Sequence, residues 1–231
     1  MAPKGSAPKP TLRAAVEGLL AAEQRSDFSA SYTFLDAAGR AKYPEASDWE
    51  DRRTGLSPVT GFSIDAAAST PTSVVAVVQH KPGLDPFIGL SPAEERQTWQ
   101  GSETPDGFLV DPDPKVVFVA PPESGIAATV TAWATAVQAC DQAKGVTYQA
   151  VPTLYGESDG ASSLCGSKGA LRVGSVGPLL AGPASADLVA QYSSDVLAWA
   201  RTVPVSGAAT FVVIVAPIGA GWKVLGVADR G

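Results

Sequence analysis

Few side chains in this sequence could carry chemistry, and their spacing argues against most of it. Cys140 and Cys165 are the only cysteines, 25 residues apart. They do not form a CxxC pair. With a single histidine in the chain, a zinc centre built from Cys and His would lack ligands. Cys140 falls on the apolar face of an expected helix, and Cys165 falls in a Gly/Ser-rich stretch, Gly156–Gly169. The favoured reading is one disulfide tying loop to helix, which fits an oxidising compartment. On the chain-entropy argument a loop of that size is worth roughly 3 kcal/mol. The alternative is two unrelated thiols, one in the core and one exposed. Any Ser-His-Asp or Cys-His mechanism would have to use His80, and Asp65 is the nearest acid in sequence. If residues 62–67 and 74–80 form a hairpin turning near Ser69, Asp65 faces about position 74. His80 then lies about six residues further along, roughly 20 Å away. The two do not pair, and His80, beside Lys81-Pro82, reads as a strand end facing solvent.

Acid–base chemistry needs a carboxylate or base inside an apolar cavity, its pKa shifted by burial. Asp36, Asp65 and Asp195 are the acids set among apolar neighbours. Each is more simply a cap, a turn residue or the wet face of a strand. Trp49, Trp99, Trp133, Trp199 and Trp222 could line a ligand cavity, but aromatic rings at such positions more often fill a core. Gly156–Gly169 lacks both the preceding strand and the Lys-Ser/Thr step of a phosphate-binding loop. No residue is therefore assigned a catalytic, cofactor-binding or metal-binding role. Cys140 and Cys165 are the one pair singled out.

The elements that would position these groups repeat. A helical stripe at Leu12, Val16 and Leu19 is answered by Ile126, Val130 and Trp133. A turn at Asp106-Gly107, followed by Phe108 and Val110, is answered by Ala220-Gly221, followed by Trp222 and Val224. Both pairs are offset by 114 positions, the mark of two copies of one unit. The 231 residues suit two units of about 110. Residues 1–10 read as a flexible arm, 11–120 as the first helix-on-sheet domain and 124–231 as the second, joined near Pro121-Glu123.

In the first copy, helices are expected from Thr11 to about Arg25 and, capped by Ser26 or Asp27, through Phe28, Tyr32 and Leu35 to Tyr43-Pro44. A turn carrying Trp49 follows. Strands are expected at Phe62–Ile64, Val74–Val78, Glu95–Gly101 and Gly107–Asp111, the last two flanking a Pro-Asp-Gly turn. Lys115–Ala120 reads as an interdomain strand. Lys81–Pro92 reads as a loop packing back on the body. In the second copy, Ser124 caps a helix from Ile126 to about Ala143. Strands are expected at Leu171–Leu180, Leu188–Val203, Thr210–Ala216 and Trp222–Ala228. Helices followed by antiparallel strands make an α+β fold.

Composition narrows the function classes. The first 123 residues hold 17 acids and 11 bases, and the remainder 6 of each, so the net charge of −6 sits wholly in the first half. That argues against nucleic acid and anionic lipid as partners. The sequence contains no Asn, so sequon glycosylation is impossible and left-handed turn positions are expected to fall to Gly or Asp. No apolar run is long enough to span a membrane. The start lacks the apolar region of a signal peptide, which leaves a cytoplasmic protein or an ectodomain whose anchor lies outside this sequence.

The order of elements and the closing steps Gly107-Phe108-Leu109-Val110 and Gly221-Trp222-Lys223-Val224 resemble the nuclear transport factor two-like (cystatin-like) superfamily. The resemblance covers residues 11–229 as two copies. It implies two tandem cone-shaped domains, each with N-terminal helices packed on a curved antiparallel sheet. The chain also resembles membrane-anchored extracytoplasmic proteins of high-GC Gram-positive bacteria. Among these, tandem modules of this shape serve as scaffold parts of conjugation and secretion machines. The resemblance thus implies a non-enzymatic extracytoplasmic scaffold or adaptor that binds an unidentified protein, with no cofactor. Two alternatives stay open. One is a module holding an apolar small molecule. The other is a cone-pocket dehydratase or isomerase using an acid of the first domain.

Overall fold

The computed structural model describes residues 9–85, 89–105, 107–150 and 163–229. Residues 1–8 of the expected arm, Phe87 and Ile88, Asp106 of the closing turn and residues 156–162 of the Gly-rich stretch lie outside the described residues. The fold is α+β with antiparallel sheets. It divides into two compact units, Met1–Lys81 with Pro92–Val119, and Pro82–Ser91 with Ala120–Gly231.

Unit 1 opens with α1 (Leu12–Gln24), whose N-cap Thr11 accepts from the Ala14 N–H. Leu12, Val16, Leu19 and Leu20 recur at helical spacing and are buried. The chain then turns through Ser26 in a left-handed conformation (φ 55°) into α2 (Phe28–Tyr32), capped by Asp27. The run expected to continue to Tyr43 breaks, because Asp36 starts a new helix, α3 (Ala37–Lys42). The expected turn around Trp49 is a full helix, α4 (Ala46–Thr54).

A four-stranded sheet follows, ordered β1 (Val59–Ile64), β2 (Val74–His80), β5 (Glu94–Trp99) and β8 (Lys115–Phe118). Its register aligns Ile64, Ala76, Gln97 and Val116 in one row and Phe62, Val78, Glu95 and Phe118 in the next. Because side chains alternate across a strand, both rows share a face with Val74 and Trp99, which pack with the α1 stripe in one core. The segment expected to join the domains, 115–120, contributes β8, an edge strand of this sheet. The hairpin β6 (Gly101–Thr104) and β7 (Gly107–Val110) closes the unit. Lys9 is held rather than free, since its carbonyl accepts from the Phe108 N–H.

Unit 2 includes the stretch expected to be a loop on the first body. There β3 (Gly83–Asp85) pairs with β4 (Gly89–Ser91), and Leu84 is buried in a unit 2 core. The main helix is α5 (Ile126–Gln138), preceded by a 3-10 turn at Glu123–Gly125 that replaces the expected Ser124 cap. It ends earlier than the expected Ala143. Cys140 adopts a left-handed conformation (φ 56°), and Asp141 caps α6 (Gln142–Val146). Among the described residues the left-handed non-glycine positions are Ser26, Cys140 and Ser193, none of them the Asp expected there.

The sheet runs β10 (Gly177–Pro178), β11 (Arg201–Ser206), β12 (Phe211–Ile218) and β13 (Gly221–Asp229), with β9 (Arg172–Val173) also on β11. The expected strand at 171–180 is therefore two short pieces. The expected strand at 188–203 is wrong over most of its length. It contains α7 (Ala186–Tyr192), α8 (Val196–Trp199) and only then β11. Pro183 opens a 3-10 turn into α7, and Leu188 and Tyr192, four apart, are both buried. Pro at a helix start and an i, i+4 pair are the helix signals that the strand reading overlooked.

The 114-residue offset is kept in atomic detail. α1 and α5 have 13 residues each. The Asp36 N–H donates to the Val110 carbonyl as the Ala150 N–H donates to that of Val224. Leu35 bridges Val110 as Gln149 bridges Val224. Gly101–Val110 and Thr104–Gly107 pair as Val215–Val224 and Ile218–Gly221 do.

Candidate functional site

The charged interior of unit 1 is assembled by four elements. α1 places Glu23 one turn beyond Leu19 and Leu20, on the face that meets the sheet, and the side chain is buried. α4 brings Arg53 to it, and the guanidinium donates to Glu23 Oε2. Trp49 fixes α4 in place. Its Nε1 donates to Ser31 Oγ at 2.8 Å, and its ring meets Tyr43 edge-on. The Arg53 guanidinium lies 5.3 Å from the Trp49 ring centroid, a cation–π contact.

β2 delivers His80 and β5 delivers Glu95 and Gln97. His80 Nδ1 lies 3.1 Å from the Ser57 carbonyl and 3.2 Å from that of Pro58, so Nδ1 carries a proton and donates. Its Nε2 lies 3.3 Å from Glu95 Oε2. A bare ring nitrogen facing a carboxylate would be repelled, so the arrangement calls for the imidazolium. Gln97 Nε2 donates to the same carboxylate oxygen at 3.1 Å.

The titration behaviour follows from this packing. Burial pushes the Glu23 carboxyl up, and Arg53 and His80 only partly pull it back. Burial alone would lower His80, but the Glu95 carboxylate and the two carbonyls outweigh it and hold the ring above its ordinary value. Burial would likewise raise Glu95, but His80 and Gln97 outweigh it and hold the carboxyl below the usual range. His80 and Arg53 act on both glutamates, so the five groups form one electrostatic cluster.

His80 Nε2 has only its ion-pair contact with Glu95, and among the described residues of this interior three further buried atoms have no hydrogen-bond partner: Glu23 Oε1, Gln97 Oε1 and Trp99 Nε1. Their residues are 3 %, 6 % and 0 % exposed, too buried for bulk water to serve them. Among the described residues no group of three His, Cys, Asp or Glu side chains could hold a metal ion.

His80 is thus buried, not the solvent-facing strand end expected, because β1 and residues 57–58 cover it. Asp65 is remote from it in register and pairs with Arg96 while accepting from the Ala67 and Ala68 N–H groups. Asp36 caps α3, accepting from the Gly39 N–H at 2.8 Å. Asp195 is exposed at the start of α8. Trp49, Trp99, Trp133 and Trp222 are buried. Cys140 and Cys165 form a disulfide, with Cα atoms 4.9 Å apart. It joins two exposed loop positions, because α5 ends before Cys140.

Glu23, Arg53, Glu95 and Gln97 escaped the sequence reading, although a signal existed. Shifting by 114 sets Glu23 against Val137 and Gln97 against Phe211, a charge and an amide against apolar residues of the other copy. No protein-family model, curated protein or solved structure matches the chain.

Proposed function

We propose that this chain is a non-enzymatic extracytoplasmic adaptor, secreted or membrane-anchored, that binds an extended segment of another protein along the edge of β8. The observation that carries this reading is the exposure of that edge. β8 ends the sheet of unit 1, yet Val116 and Val117 are 48 % and 50 % exposed, and Val119 beyond them is exposed too. The Val119 N–H donates to the Glu94 carbonyl, so in the antiparallel pattern Val117 also bonds to β5. Val116 and Phe118 then turn their N–H and C=O groups outward. Soluble proteins normally shield such an edge with charge, proline or a covering element. A bare row of valines suits strand addition, where backbone bonds supply affinity and alternate side chains supply selectivity.

The Cys140–Cys165 disulfide supports the compartment, since such bonds persist where thiols are oxidised. No helix among the described residues is long and apolar enough to cross a membrane. The finer reading is that each unit is a cone of the nuclear transport factor two-like kind. The main helix and the Gly-aromatic hairpin, each repeated at the 114-residue offset, support it.

The test is photo-crosslinking from position 117 in the cell of origin. Val116→Pro removes an outward N–H that an edge strand can spare, and leaves the melting temperature within a degree or two. The adaptor reading expects a crosslinked protein that disappears in this variant. No product, or one that persists, contradicts it.

A further inference from the structure

The bare edge of unit 1 is complementary to itself. β8 turns the N–H and C=O groups of Val116 and Phe118 outward, because Val117 and Val119 direct theirs to β5. Side chains alternate, so Val116 and Phe118 lie on the α1-facing side with Gln97 and Glu95. Lys115, Val117 and Val119 lie on the opposite side, in rows with Thr98, Arg96 and Glu94 of β5. Arg96 is paired with Asp65. Among the described residues Lys115 and Glu94 have no ion-pair partner. They stand at opposite ends of that face, a base on the edge strand and an acid one strand in.

A second copy related by a two-fold axis would set β8 against β8, antiparallel. Outward residues must then meet outward residues, which leaves few registers. Val116 against Val116 puts Phe118 opposite Pro114, which has no N–H, and Lys115 opposite Val117, beside Arg96 of the other copy. Those like charges repel. Phe118 against Phe118 puts Val116 opposite Ala120, past the end of β8, and Lys115 opposite Pro121, beyond the Glu94 row. Val116 against Phe118 avoids both faults. The two outward residues of each copy exchange N–H and C=O bonds with those of the other, and Val117 meets Val117 on the axis. Lys115 comes opposite Val119 of the other copy, whose row also holds Glu94. Two strand spacings, about 10 Å, separate the Lys115 and Glu94 backbones, within the combined reach of the two side chains. We propose that, while no other protein is bound, β8 pairs in this register with β8 of a second copy and joins the two four-stranded sheets into one. Pairing shields the edge, and an incoming segment gains it by displacing the second copy. That guarding role rests on the strand-addition reading of β8; the pairing itself does not.

Sedimentation equilibrium of the purified full chain, from about 10 µM to about 1 mM, is expected to show a reversible dimer, weak because an edge contact is small. Val116→Pro removes an outward N–H from each copy and is expected to weaken the dimer at least about tenfold. Lys115→Glu and Glu94→Lys each set like charges together twice, and each is expected to weaken it at least about fivefold. Combined, they exchange the two charges and are expected to restore the native affinity. Oxidised Val117→Cys is expected to form a disulfide-linked dimer, since facing residues of a non-hydrogen-bonded pair lie about 4.5 Å apart. Val119→Cys is expected to form none, its two copies lying about 13 Å apart. A monomer throughout the range, a double variant no stronger than the single ones, or equal crosslinking at 117 and 119 overturns the proposal. If Val116→Pro fails to fold, the charge exchange decides. A monomeric chain that still crosslinks another protein from position 117 removes self-pairing and leaves strand addition standing. A dimer that crosslinks only to itself supports self-pairing and removes the adaptor reading.

Discussion

The two units fasten the same frame in opposite ways. Gln24 and Gln138, 114 residues apart, both reach from the end of the main helix to a later backbone carbonyl, Thr60 in one case and Ser167 and Gly169 in the other. Next to that shared bond, unit 1 joins α1 to α4 by an ion pair, Glu23 with Arg53, and lines its sheet with His80, Glu95 and Gln97. Unit 2 ties the end of α5 to the following loop by the Cys140–Cys165 disulfide and fills its interior with Trp133, Leu164 and Phe211, the two rings edge-on at 6.1 Å. It also covers the other face of its sheet, where Leu188, Tyr192 and Val196 pack with Ile214, Ala216 and Leu225. A covalent staple and an apolar core hold shape without regard to pH. A buried ion-pair cluster holds shape conditionally and leaves groups able to interact. On the adaptor proposal, unit 2 is the support and unit 1 the recognising unit.

The largest expected effect comes from breaking the unit 1 fastening. Arg53→Ala strands a buried carboxylate and is expected to cost unit 1 about 3–5 kcal/mol. Hydrogen exchange should quicken across α1 and α4 and stay unchanged across α5. Cys140→Ser removes the other fastening at about 3 kcal/mol, with the exchange pattern reversed. Thiol titration of the denatured, unreduced native chain should find no free thiol.

The pH response separates the units next. His80 has a folded pKa above 6.5, so its contribution is complete below 6.5 and is lost as pH rises through the folded value. Glu95 has a folded pKa below 4.5, so its contribution is present above 4.5 and is lost as pH falls through the folded value. Glu23, raised above 4.5, adds stability on the acid side that fades as pH rises, which softens the acid limb. Unit 1 is therefore expected to lose stability as pH rises above 6.5 and His80 deprotonates, read by exchange in α1. Unit 2, which has no histidine, should lack the loss above 6.5.

Gln97→Leu removes an unpaired buried amide oxygen but also the Nε2 donor to Glu95, so the two effects oppose and unit 1 stability is expected to change by less than about 1 kcal/mol. Thermal unfolding measures it. The smallest effect belongs to Val116→Pro, within about 0.5 kcal/mol.

Much of this frame was legible in the sequence. Two stripes and two Gly-aromatic steps at one offset located both main helices and both closing hairpins, because helical and strand periodicities are local properties. The Cys140–Cys165 pairing was also legible, as these were the only thiols. Residues 188–203 were misread because a short apolar run fits a strand or a buried helix equally well. The polar interior was hidden for a different reason. Glu23 and Arg53 meet across 30 residues and His80 and Glu95 across 15, and only the fold brings such groups together. The clue that was present, a charge standing where the other copy has Val137, required comparison of the copies position by position.

The most direct test of the charged interior is a nitrogen-15 titration of the His80 ring from about pH 5 to about pH 9. The account predicts a midpoint above 6.5 that drops when Glu95→Gln removes the facing carboxylate. A midpoint at or below 6.5 in the native chain, unmoved by that substitution, would contradict it.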